Sequence, residues 1–303
     1  MSAAPVRAAA ESGVRGMGLA HGALAYALWG VVPVYWKLLA HVGPAELIAH
    51  RALWGLLAFV TIVVGAAQWG VLARSLRDVR LVGIMALSGS LLAVNWGVFV
   101  WATLSGHLLD ASLGYFINPL LSVALGTIVL RERLRALQWL AIALAAAGVG
   151  LLTWRAGRVP WVALLLAATF ALYGLVRKTA RVDALVGSAM ETLLMAPVAA
   201  VYLLALGGGA AVRGDGYTLG LLAGTGVVTA VPLVLFTSAA RRLPLSTVGF
   251  LQYLAPTGQF CLAVLAFHEP LAHDRLVAFG CIWIGLAVFS VDLVAVPGRR
   301  RRG

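Results

Sequence analysis

The sequence predicts an all-α membrane protein, with ten transmembrane helices arranged as two inverted five-helix repeats. Composition is the first indication: of 303 residues, 62% are hydrophobic and only 11% are charged, whereas soluble domains are about 25% charged. Apolar runs of about 20 residues follow one another, and each is long enough to cross a hydrocarbon core about 30 Å thick as a helix. These runs do not alternate as barrel strands do, so a helical bundle is expected.

An internal repeat is the second indication. Three residues of the first half recur in the second with the same spacings of 13 and then 16 residues: Pro119, Glu132 and Gly148 first, then Pro256, Glu269 and Gly285. Each half holds five spans, and an odd number makes the second copy enter the membrane from the opposite side. Inverted repeats are typical of secondary carriers, whose solute site lies near the midplane between the repeats. A duplicated structural bundle is the alternative.

The predicted spans are separated by short loops, which leave no room for a soluble domain. In chain order they are 18–40, 45–67, 81–104, 110–130, 137–154, 160–176, 184–206, 218–240, 245–267 and 276–296. They define a cytoplasmic tail (1–17), a first repeat (18–154), a second, inverted repeat (155–296) and a basic cytoplasmic tail (297–303). The first span is too long for the hydrophobic region of a signal peptide, so we expect it to stay uncleaved.

Residue patterns in the first half indicate which faces are aromatic or polar. Span 1 carries an aromatic stripe made of Tyr26, Trp29, Pro33 and Trp36. Span 2 contains Arg51, and span 3 combines Asn95 with a face of small residues that allows close helix approach. Span 4 has a polar stripe at helical spacing, which consists of Ser112, Tyr115, Asn118 and Ser122.

The second half shows related features. Span 6 contains Tyr173, span 7 contains Glu191, and span 9 contains Gln252 and Pro256 on one stripe. A proline inside a span removes one backbone hydrogen bond, so we expect helix kinks at Pro119 and Pro256. Spans 5 and 10 present small or aliphatic faces, which indicate helix packing, and a homodimer is one assembly that these faces allow.

Basic residues are distributed unevenly between the two sets of loops. With the N-terminus inside, the cytoplasmic segments hold 17 arginines and lysines and the outer segments hold 4. Because positive charge is retained on the cytoplasmic side, we expect both termini inside. The net charge of +12 needs no nucleic acid, which would require arginines gathered on one folded face.

Motifs for other chemistry are incomplete. The segment 268–273 resembles an HExxH zinc motif, but its histidines are five residues apart with a proline between them, so no metal is expected. The glycine-rich segment 207–216 lacks the GK[ST] ending of a phosphate-binding loop, so neither nucleotide nor cofactor is expected. An enzyme would need a catalytic cluster at a membrane face, for which the loops around Asp110 and Glu269 are the candidates.

Longer motifs resemble one known family. The strings are SLGYFINP at 112–119, YGLVRK at 173–178, HR at 50–51, NW at 95–96 and QY at 252–253. They resemble the RarD family of EamA-type permeases, which belongs to the drug/metabolite transporter superfamily. The resemblance implies a carrier (permease) in the bacterial plasma membrane, with a small organic metabolite or drug-like molecule as solute. A membrane-embedded enzyme, a channel and a structural bundle remain the alternatives.

Polar and aromatic residues within the spans are candidates for the solute path. They are Trp29, Pro33, Arg51, Asn95, Trp96, Tyr115, Asn118, Tyr173, Glu191, Gln252 and Tyr253. Each polar group has the alternative role of an interhelical hydrogen bond. Their convergence on corresponding spans of both halves favours a cavity.

Glu191 and Arg51 are the predicted charged pair of the membrane interior. Ionisable groups within spans are costly and indicate function. The inverted repeat relates the two positions, so we expect Arg51 to be the counter-charge of Glu191, either in a structural ion pair or in proton coupling. In the second case, Glu191 binds a proton when the two halves of the protein separate.

Labelling of single cysteines tests the predicted orientation. A cysteine at Ser105 or Thr218 is expected to react with a membrane-impermeant maleimide added from outside, because these positions adjoin outer loops. A cysteine at Asp78, in a cytoplasmic loop, is the control and is expected to react only from inside. Labelling of Ser105→Cys or Thr218→Cys from the cytoplasmic side alone contradicts the topology.

Overall fold

The computed structural model describes residues 4–104, 108–156, 161–262 and 273–295, and all regular elements in these residues are helices. The described helices are α1 (Ala4–Leu38), α2 (Pro44–Gly65), α3 (Trp69–Ser75), α4 (Val79–Leu104), α5 (Leu108–Ile128), α6 (Ala136–Ala156), α7 (Trp161–Thr179), α8 (Ala184–Ala205), α9 (Gly209–Arg213), α10 (Gly216–Arg242), α11 (Leu245–Leu251), α12 (Leu254–Cys261) and α13 (His273–Ala295).

The predicted spans coincide with helices. For spans 2 to 8, the helix ends lie within three residues of the predicted ends, and α1 begins earlier than predicted, at Ala4. Within the described residues, six helices are long and apolar enough to cross a membrane: α1, α2, α4, α7, α8 and α10. Shorter apolar stretches lie in α5 and α6. The chain is therefore an all-helical, multi-pass membrane protein, and the crossing of all ten spans stays a prediction.

The ninth span differs from the single helix predicted over 245–267. The helix is broken at Gln252 and Tyr253, between α11 and α12. Proline lacks a backbone N–H and crowds the preceding turn, whereas the first turn of a helix tolerates it. The break places Pro256 in the first turn of α12. Pro119, by contrast, lies inside the continuous helix α5, and the part of span 9 beyond 262 lies outside the described residues.

One end of the bundle collects basic residues, and we call it the arginine-rich end. The last turns of α7 and α10 there carry Arg177, Lys178, Arg241 and Arg242. The last turn of α13 also lies there, because Asp292 binds Arg135, which directly precedes α6. Which side of the membrane this end faces stays a prediction.

The helices pack in pairs that map onto each other when the two halves of the chain are exchanged. Three pairs join helices that occupy equivalent positions in the two halves: α2 with α8, α5 with α11, and α6 with α13. The other main contacts occur in matched couples: α1–α10 matches α7–α4, α1–α12 matches α7–α5, and α2–α10 matches α8–α4. Beside the α5–α11 contact, the Tyr253 hydroxyl donates to the Phe116 carbonyl oxygen at 3.3 Å.

The outside of the bundle is apolar. On α8, the exposed fractions of Val198 and Leu204 are 76% and 78%, while Glu191 on the same helix is fully buried. A soluble protein seldom exposes a continuous apolar helix face of this kind. Since lipid tails are as apolar as these side chains, the faces are suited to contact with the bilayer.

Close packing of α6 on α13 depends on Gly285. A Cβ at this position would lie 2.8 Å from the Ala141 carbonyl oxygen, whereas a Cβ at Gly280 of the same helix would meet no atom within 4 Å. The predicted packing role of spans 5 and 10 is thus confirmed within one chain. Dimer formation through them stays a prediction.

We expect Gly285→Ala to lower the melting temperature of the purified protein in detergent, because overpacking costs about 1–3 kcal/mol. Gly280→Ala is the matched control and is expected to leave the melting temperature unchanged or slightly raised, since alanine favours helix. A thermal-shift melt measures both. Equal melting temperatures for Gly285→Ala and the parent protein contradict the packing role.

Candidate functional site

A cavity of about 160 Å³ lies between helices of the two halves. Its lining comes from α1, α2, α4, α5, α7, α10 and the broken ninth span. The aromatic side chains of the lining are Tyr26, Trp29, Trp36, Trp96, Phe99, Tyr115 and Phe170, and the polar ones include Arg51, Asn95, Asn118, Thr229 and Gln252. A largely apolar concave site with a few convergent polar groups is typical of small-molecule binding.

Aromatic side chains form the wall of the cavity, in two groups of packed rings. Trp29 of α1 packs edge-to-face against Tyr26, with ring centroids 5.4 Å apart, and against Phe170 of α7, at 5.8 Å. Phe99 of α4 packs against Tyr115 of α5 at 5.8 Å. Aromatic pairs at these separations attract each other. The wall therefore joins helices of both halves around the cavity.

Arg51 is the charged residue of the described cavity lining. Its guanidinium carbon lies 4.8 Å from the ring centroid of Trp36 and 4.3 Å from that of Trp96. Its Nε donates a hydrogen bond to Thr229 Oγ1 at 3.2 Å. The indole rings attract the cation through their negative faces. Arg51 is thus held in place by α1, α4 and α10.

Amide side chains connect the helices around the cavity. Asn95 donates to the Leu166 carbonyl oxygen at 2.8 Å and so joins α4 to α7. Gln252 donates to Ser122 Oγ at 3.1 Å and joins the broken ninth span to α5. Interhelical hydrogen bonding, the alternative role of these residues, is therefore present at both positions, although both also line the cavity.

The cavity is displaced toward the end opposite the arginine-rich end. Arg51 and Tyr115 each lie seven residues inside a helix that begins at that opposite end, which corresponds to about 10 Å. Trp36 lies nearer to that end, two residues before α1 finishes. Thr229 lies 13 residues into α10, or about 20 Å from the same end. The cavity therefore extends from this end to the middle of the bundle.

The arginine-rich end is closed by a buried ion pair. Glu191 of α8 is 0% exposed, and its Oε1 lies 3.5 Å from an Nη of Arg177, which is 1% exposed. Ser88 of α4 donates to Oε1 at 2.5 Å, and Tyr173 of α7 donates to Oε2 at 3.4 Å. The predicted pairing of Glu191 with Arg51 is wrong. Arg177 and Glu191 lie on adjoining helices near the same bundle end, whereas Arg51 lies near the other.

Arg177 is a functional candidate that was not predicted from the sequence. It follows the predicted end of span 6 at 176, so it was expected in a cytoplasmic loop. In the structure, its guanidinium also donates to the Ala184 carbonyl oxygen at 2.9 Å. A Cβ at Gly187 would overlap this guanidinium, so the glycine makes room for it. Gly187 lies four residues before Glu191, on the same helix face. The glycine therefore leaves space beside Glu191, but the spacing does not identify Arg177 as the partner.

Glu132, the repeated glutamate, joins the two halves at the arginine-rich end. Its Oε1 accepts a hydrogen bond from the Leu245 amide at 2.6 Å, and its Oε2 accepts from the amide (3.0 Å) and the hydroxyl (2.8 Å) of Ser246. Lys178 Nζ lies 3.9 Å from Oε1. The carboxylate thus caps the first turn of α11 across the repeat boundary. The counterpart of Glu132 in the second half, Glu269, lies outside the described residues.

Most of the predicted solute-path residues lie together. Those that line the cavity are Trp29, Arg51, Asn95, Trp96, Tyr115, Asn118 and Gln252, together with the predicted kink residue Pro256. Tyr173 and Glu191 lie in the closed network instead, and Tyr253 binds Phe116. The side chain of Pro33 lies outside the described set. A role in the solute path stays a prediction for all of them.

The lining residues that were not among the candidates include Phe99, Phe170 and Thr229. Phe99 lies one helical turn after Asn95, and Phe170 lies nearly one turn before Tyr173, so helical spacing from those candidates indicates both positions. Thr229 has no distinguishing sequence signal. Its place in the site follows from its contact with Arg51.

Comparison with known proteins agrees with this architecture. The profile of the EamA-like transporter family matches residues 16–154. A solved crystal structure covers 90% of this chain and 97% of its own, with a TM-score of 0.72 and 20% identity, and so shares the fold.

Relatives of higher identity extend over most of the chain. Protein RarD of Streptomyces exfoliatus is 43% identical over 288 residues, 94% of this chain and 91% of the relative. An uncharacterized transporter of Pseudomonas aeruginosa is 46% identical over 275 residues, 89% of this chain and 92% of the relative. Protein RarD of Escherichia coli K12 is 42% identical over 278 residues, 91% and 94% of the two chains. With this identity over most of its length, the chain belongs to the EamA-like transporter family and is, within that family, a RarD-type membrane transporter.

Proposed function

We propose that this RarD-type transporter is a secondary carrier of the bacterial plasma membrane that moves a small organic solute, with the cavity as its solute site. The observation that carries the proposal is the asymmetry of the bundle. A cavity with aromatic walls and a guanidinium reaches the middle from one end, while polar contacts between the halves close the other. A carrier needs a central site that is open to one side at a time.

The helix contacts of one half of the chain recur in the other half. This correspondence supports an arrangement of ten spans in two inverted repeats. Residues at equivalent repeat positions also converge on the cavity: Tyr115 with Gln252, and Asn118 with Ala255. A site built from both halves changes its access when one half rocks against the other. The repeat therefore supplies both the site and the motion that alternating access requires.

Opening of the arginine-rich end requires the loss of a small set of contacts between the halves. Glu132 of the first half leaves the start of α11, and Ser88 of the first half leaves Glu191 of the second. Hydrogen bonds contribute about 0.5–1.5 kcal/mol each, or about 1.5–3 kcal/mol when one partner is charged. A few such bonds hold one state without making it permanent. With the predicted orientation, the closed end faces the cytoplasm and the cavity faces outward.

Transport in proteoliposomes tests the carrier function, with single-ring solutes of different charge as labelled probes: phenylacetate, phenylacetamide, 2-phenylethylamine and phenylalanine. We expect saturable uptake of at least one probe, with competition by the unlabelled compound. Trp96→Ala is expected to raise the half-saturation concentration about 2- to 10-fold, because an aromatic contact contributes about 0.5–1.5 kcal/mol.

Trp154→Ala is the matched control for Trp96→Ala. Trp154 of α6 is 85% exposed and lies outside the cavity lining, so its loss is expected to leave the half-saturation concentration unchanged. Flux that never saturates indicates a channel. Absence of mediated flux for all probes, or equal effects of the two tryptophan substitutions, contradicts the proposed carrier site.

Proton coupling through Glu191 is the second part of the proposed function, with Arg177 in place of Arg51 as the counter-charge. In the closed state, Glu191 has Arg177, Ser88 and Tyr173 as partners. Separation of the halves removes Ser88, which lies on α4 of the first half, and admits water. The protonation of a carboxyl group depends on such partners and on its burial. Glu191 can therefore alternate between a paired charged form and a protonated form as the bundle opens.

Substitution of Glu191 by glutamine separates coupling from solute binding. We expect Glu191→Gln to abolish accumulation of the transported probe under a pH gradient, while solute counterflow continues, because glutamine cannot carry the proton. Glu46→Gln makes the same chemical change in a buried carboxyl near the other end and is expected to keep pH-driven accumulation. If Glu191→Gln still accumulates the probe against its gradient, Glu191 is a structural partner only.

A further inference from the structure

We propose that the solute carries one anionic group, such as a carboxylate, attached to a planar apolar body of about one ring, and that Arg51 binds this anion. The inference rests on the proposed carrier function, because it assigns the solute class of the same cavity. It follows from the charge of the cavity, the contacts of Arg51 and the nature of the walls.

Arg51 differs from three basic residues that join helices of the bundle, because it has no carboxylate partner in the described part of the chain. Arg177 lies 3.5 Å from Glu191, Arg135 lies 3.3 Å from Asp292, and Lys178 lies 3.9 Å from Glu132. The described lining of the cavity contains no acidic side chain. The cavity therefore has an unbalanced positive charge.

An unbalanced cation within a membrane span is costly. Placement of an arginine at the centre of a transmembrane helix costs about 2.5–3.5 kcal/mol on insertion scales, and such residues commonly pair or line a wet cavity. Two indole rings offset part of this cost for Arg51. A solute anion would offset the rest and would be attracted to the site for that reason.

The hydrogen bonds of Arg51 leave room for an anion. Only its Nε has a described partner, Thr229. The two terminal nitrogens carry four further N–H groups, and a carboxylate can accept two of them in parallel. Tyr26 and Gln252 also line the cavity, and their side chains interact with each other.

The walls and the size of the cavity indicate the rest of the solute. Trp29, Phe99 and Phe170 present aromatic surface to the same cavity as the guanidinium, which suits a flat apolar group. The cavity volume of about 160 Å³ is close to that of an engineered cavity of about 150 Å³ that holds one benzene. A single guanidinium, with no second cation among the described lining side chains, matches a monoanion better than a dianionic phosphate.

A matched pair of probes tests the anion requirement: phenylacetate and phenylacetamide, which differ in charge but hardly in shape. Binding to the full-length protein in nanodiscs is measured by isothermal titration calorimetry. We expect the acid to bind about 10- to 100-fold more tightly than the amide, which is the size expected for a hydrogen-bonded charge pair. Phenylmethanesulfonate tests whether another monoanion replaces the carboxylate, and acetate tests the need for the ring.

Substitutions of Arg51 test whether this residue causes the preference for the acid over the amide. Arg51→Gln is expected to abolish the preference for the acid, and Arg51→Lys is expected to keep part of it, because lysine keeps the charge without the planar fork. Arg74→Gln, at an exposed arginine of α3, is the control and is expected to keep the full preference. Equal binding of acid and amide, absence of binding by any of the acids, or a preference that survives Arg51→Gln overturns the inference.

The uptake and binding experiments together distinguish the anion site from the carrier function. Saturable uptake of phenylacetamide that depends on Trp96, together with equal binding of acid and amide, retains the carrier and rejects the anion. Arg51-dependent binding of the acid without uptake of any probe retains the anion site and rejects the carrier.

Discussion

Charge within membrane-spanning helices is the constraint on which the arrangement of this protein depends. A charged side chain in hydrocarbon needs a partner or water. Glu191 has Arg177 and the Ser88 hydroxyl, and Asp292 has Arg135. Each of these contacts joins helices near the arginine-rich end, so the charge pairs determine where the bundle is closed. Arg51 has two indole rings and a threonine as neighbours instead, and this difference is the basis of the proposed solute site.

The duplication allows one helix pattern to supply both the closed end and the cavity. The broken ninth span shows how: its first helix, α11, is capped by Glu132 at the arginine-rich end, and its break at Gln252 reaches the cavity. The cap and the cavity lining are therefore connected through about two turns of helix. A displacement of α11 at the closed end also moves residues of the cavity lining, and the proposed carrier function requires such a connection.

The composition of the candidate site could be predicted in large part from the sequence. Most of the candidates in spans 1 to 4 and 9 do meet, because these spans surround the cavity between the halves. The pairing of the charges could not be predicted in the same way. The repeat relates Arg51 to Glu191 by position, but side chains pair by distance, and Arg177 lies on the helix next to Glu191, near the same end of the bundle. Gly187 completes this pairing through the space that it leaves.

From the sequence alone, the helical class, the approximate ends of most spans and the repeated pattern of residues could be recognised, because each depends on local hydrophobicity and on spacing along the chain. The sequence did not predict the break at Gln252, the burial of Arg177 or the displacement of the cavity toward one end. These depend on contacts between residues far apart in sequence: Glu132 with the start of α11, Ser88 with Glu191, and Arg51 with Thr229. Such contacts form only when the helices are packed, since the level of each side chain within the bundle decides which partner it reaches.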